Sequence, residues 1–238
     1  MYRYEDHTVV ISGASGNLGV AIARKFQENG AHLVLVDRSP GRLQKIFPDL
    51  VDSREHFLAD GVDANDATGV QQALHSAVDR FEAINVLVNT IGGYRGGNPT
   101  HETSEETWDF IFQLNTRPAF ILSRAVVPLM LENGSGKIIH IAARAGVQGG
   151  AGMAPYSAAK SGVIRLTEGL AAELKEYGIN VNCILPGRID TPQNRLEMPG
   201  ADYSRWVTPE VIADVVLFLA SEAARGVNGA AIPVYGKS

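Results

Sequence analysis

The sequence predicts a doubly wound α/β architecture, a seven-stranded parallel sheet with helices on both faces. Three observations predict it. Short apolar runs rich in Val, Ile and Leu alternate with longer amphipathic segments along the chain, as expected for strands buried on both sides and joined by right-handed helical crossovers. Glycine-rich loops follow the first, fourth and fifth runs, and in such sheets ligands sit outside the carboxyl ends of the strands at the topological switch point. A length of 238 residues, 45% hydrophobic and 20% charged, suits one sizeable domain with a two-sided core, so residues 1–238 are expected to form a single unit.

The elements follow in order from periodicity and composition. HTVVIS (7–12) reads as the first strand, and VAIARKFQEN (20–29) as a helix after a glycine loop. HLVLVD (32–37) and HFLAD (56–60) are the next strands, followed by the helix TGVQQALHSAVDRF (68–81). INVLVNT (84–90) is the fourth strand; a long helix from Thr107 to Glu132 then leads to KIIHIAA (137–143). The helix APYSAAKSGVIRLTEGLAAELKEY (154–177) precedes the sixth strand, INVNCIL (179–185). After an irregular segment at about 188–208 come the helix PEVIADVVLFLA (209–220) and the last strand, AAIPVY (230–235). There is no internal repeat, low-complexity tract or interdomain linker.

Composition removes several function classes. A net charge of −5 gives no basic footprint for nucleic acid. The lone Cys183, in the apolar run VNCILPG, cannot form an intrachain disulfide and reads as a buried core residue in a reducing compartment. The first strand begins at Thr8, which leaves no room for a signal peptide, and no apolar stretch approaches the roughly 20 residues of a membrane span. A soluble, cytoplasmic protein acting on a small molecule, with no metal site, is expected.

The first loop, ISGASGNLGVAIARKF, sets Gly13, Gly16 and Gly19 between an apolar strand and a helix, with Ser15 and Leu18 between them. Glycines there allow a tight turn and let backbone N–H groups approach a pyrophosphate at the positive end of the helix. Asp37 ends the second strand, eighteen residues after Gly19, where a carboxylate can accept the ribose hydroxyls of NAD and repel a 2′-phosphate. NAD(H) is therefore favoured, with NADP(H) possible because Arg38 follows and could accommodate a phosphate.

Together these motifs resemble the short-chain dehydrogenase/reductase family, single-domain branch, over nearly the whole chain. SGASGNLG is similar to the family's cofactor loop, with its middle glycine one position early. DAND from Asp63 resembles the adenine-contacting segment, and NTIGG, with Asn89 and Gly92, partly matches Asn-Asn-Ala-Gly, since Thr90 and Ile91 replace Asn and Ala. Asn115 matches the helix asparagine that in the family helps hold a water against the lysine, and YSAAK matches Tyr-x-x-x-Lys. PGRIDTP supplies Pro186, Gly187, Ile189 and Thr191, the last placed to meet the nicotinamide carboxamide. The resemblance implies a Rossmann fold, a catalytic set of Tyr156, Lys160 and Asn115, and a homodimer or homotetramer built on the helices containing Asn115 and Tyr156. Tyr156 and Lys160 also form part of the expected cofactor site.

The pair has a chemical logic. Residues i and i+4 share a helix face, so the Lys160 ammonium can lie beneath the Tyr156 phenol and beside the cofactor ribose. A phenol titrates near 10 in water, and positive charge from Lys160 and oxidised nicotinamide is expected to lower it toward the working pH. From Lys137 to Pro155, however, there is no serine or threonine. Thirteen residues before Tyr156, where the family's serine polarises the substrate carbonyl, stands Ala143. Losing such a donor typically costs about 100-fold to 1000-fold in rate. Either His140 or Gln148 substitutes for it, or the substrate needs no such donor. GGYRGG, AARAG and LPGRIDTPQNRLEMPGADYSRW carry a narrower resemblance to the dihydropteridine reductases, which also have alanine here and reduce an electron-poor quinonoid ring. The alternatives are a carbonyl or alcohol oxidoreductase of the 3-oxoacyl reductase type with a substitute donor, and a non-catalytic NAD-binding module. The segment with Asp190, Asn194, Arg195, Met198, Tyr203 and Trp206 suits either a lid that orders over a flat polar substrate or a static Ω-loop, and ordering on ligand binding is expected.

Overall fold

The computed structural model describes residues 2–237. Seven strands, β1 (Thr8–Ser12), β2 (His32–Asp37), β3 (His56–Asp60), β4 (Val86–Asn89), β5 (Gly136–Ile141), β6 (Ile179–Pro186) and β7 (Ala231–Val234), form one sheet. Its order is β3-β2-β1-β4-β5-β6-β7, and every pairing is parallel. The expected doubly wound sheet is present. The order reverses between β1 and β4, where Ser12 pairs with Asn89, so the crevice that collects ligands in such sheets opens there.

Side chains alternate along each strand and feed two cores. Val9, Ile11, Leu33, Leu35, Val86 and Val88 pack with Ile22 and Phe26 of α1 (Asn17–Glu28) and with Ile212 and Val216 of α7 (Pro209–Ala220). Val10, Val34, Leu87 and Ile138 face the other way, against Leu74 of α3 (Ala67–Phe81) and Leu122 and Val126 of α4 (Glu105–Asn133). Cys183 is free and buried, in a small cluster with Val163 and Ile164 of α5 (Ala154–Leu174). Among the described residues no helix is long and apolar enough to cross a membrane.

Helix ends follow local chemistry. The Asp66 carboxylate accepts from Thr68 N at 3.0 Å and caps α3, and Ser104 Oγ accepts from Thr107 N at 3.2 Å and caps α4. α4 runs through Pro118 and Pro128 without ending. Two helix ends lie three residues from the sequence reading, and two helices are additional to it. α1 begins at Asn17, directly after Gly16, because the glycine turn itself enters the helix. α5 gives way to a 3-10 turn at Lys175–Tyr177 before the left-handed Gly178. Two short helices appear within expected loops: α2 (Arg42–Ile46) and α6 (Pro192–Glu197). Each is too short to show an amphipathic period.

Candidate functional site

A cavity of about 1160 Å³ runs along the carboxyl ends of the strands. One end is walled by Gly13, Ser15, Gly16, Asn17, Leu18 and Gly19, with Asp37 and Asp63 beyond them. Gly13 has φ +70, and a Cβ there would lie 2.9 Å from Thr90 Oγ1; one on Gly19 would fall 2.8 Å from Ala14 Cα. The loop is therefore as tight against the sheet and helix as backbone allows, and the first turn of α1 faces the cavity with no acidic residue in it. Such a cradle suits a pyrophosphate. The Thr90 hydroxyl donates to the carbonyls of Ser12 and Gly13 at 2.7 and 3.2 Å, which gives the departure from the family's asparagine a local role.

Asp37 is held by three neutral donors. Ser39 N donates to Oδ1 at 2.9 Å, and Ser15 donates to Oδ2 through both its N–H, at 3.4 Å, and its hydroxyl. The carboxylate thus joins the end of β2 to the glycine loop while still facing the cavity, next to Arg38, Ser39 and Arg42. Asp63 is fixed in a turn by Asn65 N at 2.8 Å. Sequence reasoning missed Ser39 and Arg42, whose place on this wall depends on the short α2.

Tyr156 and Lys160 line the other half, with Gly92, Ala143, Pro186, Gly187, Ile189 and Thr191. Lys160 is 3% exposed and donates to the Ile141 carbonyl at 2.9 Å. Burial pulls its ammonium down to about 8. Tyr156 behaves opposite to expectation: burial first, and the neighbouring Tyr94 phenol second, push it up to about 12. Desolvation of a would-be phenolate sets that direction in the protein alone, and no lowering by Lys160 accompanies it.

Asn89 and Asn115 lie behind the wall. Asn89 Oδ1 accepts from Ser12 Oγ at 2.8 Å and from Ile91 N at 3.1 Å, joining β4 to β1 at the switch point. Asn115 grips Gly93 from both sides, accepting from its N–H at 3.1 Å and donating to its carbonyl at 3.0 Å. A Cβ on Gly92 would meet Lys160 Nζ at 2.7 Å and Asn115 Oδ1 at 2.9 Å, so these three residues are packed as one unit. Thr191 caps α6, accepting from Asn194 N at 3.2 Å.

The Ala143 position is empty of any hydroxyl and only 8% exposed. His140 does not reach it: the imidazole is fully buried in the sheet, with Nε2 3.1 Å from Ser123 Oγ, and burial lowers it to about 4. Gln148 does line the cavity.

The 188–208 segment is tied largely to itself. A bridge between Ile189 and Val207 closes its base, Arg195 pairs with Asp190 at 2.6 and 2.7 Å, and Arg195 and Trp206 both pack on Tyr203. These four side chains staple the loop to itself because their charges and rings satisfy one another. Asn194, Glu197 and Met198 of the same loop face the cavity instead.

The family model described as short chain dehydrogenase matches residues 7–200. The 2-(R)-hydroxypropyl-CoM dehydrogenase of Xanthobacter autotrophicus is 34% identical over 244 residues, covering 95% of this chain and 96% of that protein. Levodione reductase of Leifsonia aquatica is 31% identical over 252 residues, covering 98% and 94%. A crystal structure of levodione reductase superposes with a TM-score of 0.89 at 31% identity, covering 98% of each chain.

Proposed function

The chain belongs to the short-chain dehydrogenase family and is an oxidoreductase; from that premise we propose that it is an NADH-dependent reductase of a flat, electron-poor ring of the quinonoid dihydropterin type. The observation that carries this reading is Ala143, a buried methyl facing the cavity beside a complete Tyr156/Lys160 pair. A ketone needs a donor on its developing alkoxide, whereas a quinonoid ring already delocalises the electrons it accepts.

The residues present fit a nicotinamide dinucleotide. Gly13 to Gly19 would hold the pyrophosphate, Asp37 the adenosine ribose, Asp63 the adenine, and Gly92 and Pro186 to Thr191 the nicotinamide end, with Asn89 supporting that wall from behind. When bound, that cofactor supplies the hydride. Asp37 favours NADH over NADPH, since a 2′-phosphate would meet a carboxylate already fixed by Ser15 and Ser39. Tyr156 Oη, with its affinity for the proton raised to about 12, is protonated at neutral pH and acts as the acid toward the substrate. Lys160, at about 8, is still mostly charged there and stabilises the phenolate left behind. A protonated Tyr156 is the form that reduction calls for, whereas the Lys160 charge serves either direction.

A second reading, a carbonyl or alcohol oxidoreductase, is favoured by Gln148, whose amide lines the cavity on the loop after β5. Association of copies through α4 and α5 is proposed as well, since Trp108, Phe110 and Phe120 are exposed on α4. Light scattering that returns only a monomer would overturn it. NADH oxidation with a quinonoid dihydropterin, a quinone, an aliphatic ketone and a 3-oxoacyl thioester tests the main reading. A kcat/KM for the quinonoid acceptor at least about 100-fold above the ketone supports it, on the scale of one missing donor. The reverse order supports the Gln148 reading.

A further inference from the structure

The loop after β4 carries a second phenol into the site. Tyr94 meets Tyr156 edge to face, with ring centroids 5.3 Å apart at 87°. It lines the cavity and remains 54% exposed, so the Tyr156 contact leaves much of the residue uncovered. A half-open ring on a mobile loop would mean little, but this loop is pinned at both ends. Asn115 clamps Gly93 on one side of it, and on the other Gly97 N donates to the Gly152 carbonyl at 2.8 Å, tying the loop to the approach of α5. Between them Gly96 has no room for a side chain: a Cβ would sit 2.7 Å from both Tyr94 Oη and the Gly152 carbonyl. Arg95 lies over the Phe110 ring at 3.9 Å and does not line the cavity, whereas the neighbouring Tyr94 does. The two helices that carry Asn115 and Tyr156 therefore jointly fix the Tyr94 ring.

We propose that Tyr94 is a specificity-determining residue that takes planar, aromatic or conjugated substrates against its open ring, so that stacking orients the substrate where a hydroxyl at position 143 would otherwise have done so. The proposal rests on the oxidoreductase reading with Tyr156 as the acid, but not on the acceptor being a pterin. Aromatic pairs prefer offset or edge-to-face contact at centroid separations of about 4.5–7 Å, and the Tyr94–Tyr156 pair occupies one side of such an arrangement. A flat substrate on the open side would lie beside the Tyr156 hydroxyl.

The test compares two acceptors with the same reacting group, an aryl 1,2-diketone and an aliphatic 1,2-diketone, on full-length enzyme with NADH. In Tyr94→Leu, the ratio of kcat/KM, aryl over aliphatic, is expected to fall about tenfold, mainly through KM, while Tyr94→Phe keeps the wild-type ratio. NADH affinity, measured by fluorescence titration, serves as the folding control. Equal losses for the two acceptors in Tyr94→Leu, or an unchanged ratio, would overturn the proposal. A wild-type ratio in Tyr94→Leu together with quinonoid turnover would leave the reaction class standing and remove Tyr94 alone. A shifted ratio without quinonoid turnover would do the converse. Should Tyr94→Leu fail to bind NADH, Gly96→Ala moves the ring from outside it and is expected to shift the ratio in the same direction; no shift would also overturn the proposal.

Discussion

The wall around Asp37 and the wall around Ala143 differ in what holds them. At the Asp37 end the surface is mostly backbone: Gly13, Gly16 and Gly19 turn within a few residues, and one carboxylate anchors them through Ser15 and Ser39. At the Ala143 end the surface is side chain, and its parts come from separate regions, with Tyr94 after β4, Gln148 after β5 and Met198 just after α6. The first wall is built by local turns that leave little to vary. The second is assembled by tertiary contacts such as Asn115 on Gly93 and Gly97 on Gly152, so single side chains can change without disturbing its frame. A binding function shared across relatives belongs on the first kind of wall, and a particular substrate on the second.

The sharpest way to break this comparison is to remove the acid. Tyr156→Phe is expected to lower turnover about 100-fold to 10,000-fold, the usual worth of a positioned proton donor, with NADH affinity nearly intact. Stopped-flow kinetics beside an NADH titration would check both, and retained turnover would mean the proton comes from elsewhere. At the opposite wall, Asp37→Ala should narrow the preference for NADH over NADPH about tenfold, the scale of a hydrogen bond to a charged group. Calorimetry with both cofactors measures it. Tighter NADPH binding to the unaltered protein would contradict the assignment.

A smaller effect separates activity from stability. Lys160 is lowered from 10.5 to about 8, so the folded state binds its proton less tightly than the unfolded chain. That penalty is fully present below pH 8 and is relieved as pH rises from about 8 to 10.5. Lys160→Met, inactive, should be more stable at pH 7 by about 2 kcal/mol, the roughly 3 kcal/mol penalty less about 1 kcal/mol for the lost bond to Ile141 O. Urea unfolding at pH 7 and pH 10 would show the advantage shrinking at the higher pH; a variant less stable at pH 7 would refute the account of the buried charge. The smallest change concerns the 188–208 loop. Because Asp190, Arg195, Tyr203 and Trp206 already fasten one another, ligand-induced protection from hydrogen exchange should be confined to residues 192–198. Equal protection through 206 would restore a lid that orders as a whole.

How much of this was legible in the sequence divides along the same boundary. Seven strands, the glycine loop and Asp37 were readable because continuous apolar runs and glycine spacing express local constraints. The same holds for Tyr156 and Lys160, which share a helix face. Ser39 and Arg42 escaped because a five-residue helix has no period to detect. Tyr94 escaped because its importance lies in an edge contact with a residue far along the chain, fixed by glycines whose crowding only coordinates reveal. The pH behaviour of Tyr156 was misread for a related reason: spacing places a lysine nearby but says nothing about how completely the phenol is desolvated.

Whether the Ala143 position suits a substrate that needs no hydroxyl there is decided by Ala143→Ser. Steady-state kinetics of that variant would be measured with NADH, one quinonoid dihydropterin and one aliphatic ketone, with NADH affinity as the control for folding. The account predicts quinonoid turnover within about twofold of the unaltered protein and ketone reduction raised about tenfold or more, as a donor beside Tyr156 becomes available to a developing alkoxide. A large loss of quinonoid turnover in a variant that still binds NADH, or no gain with the ketone, would contradict it.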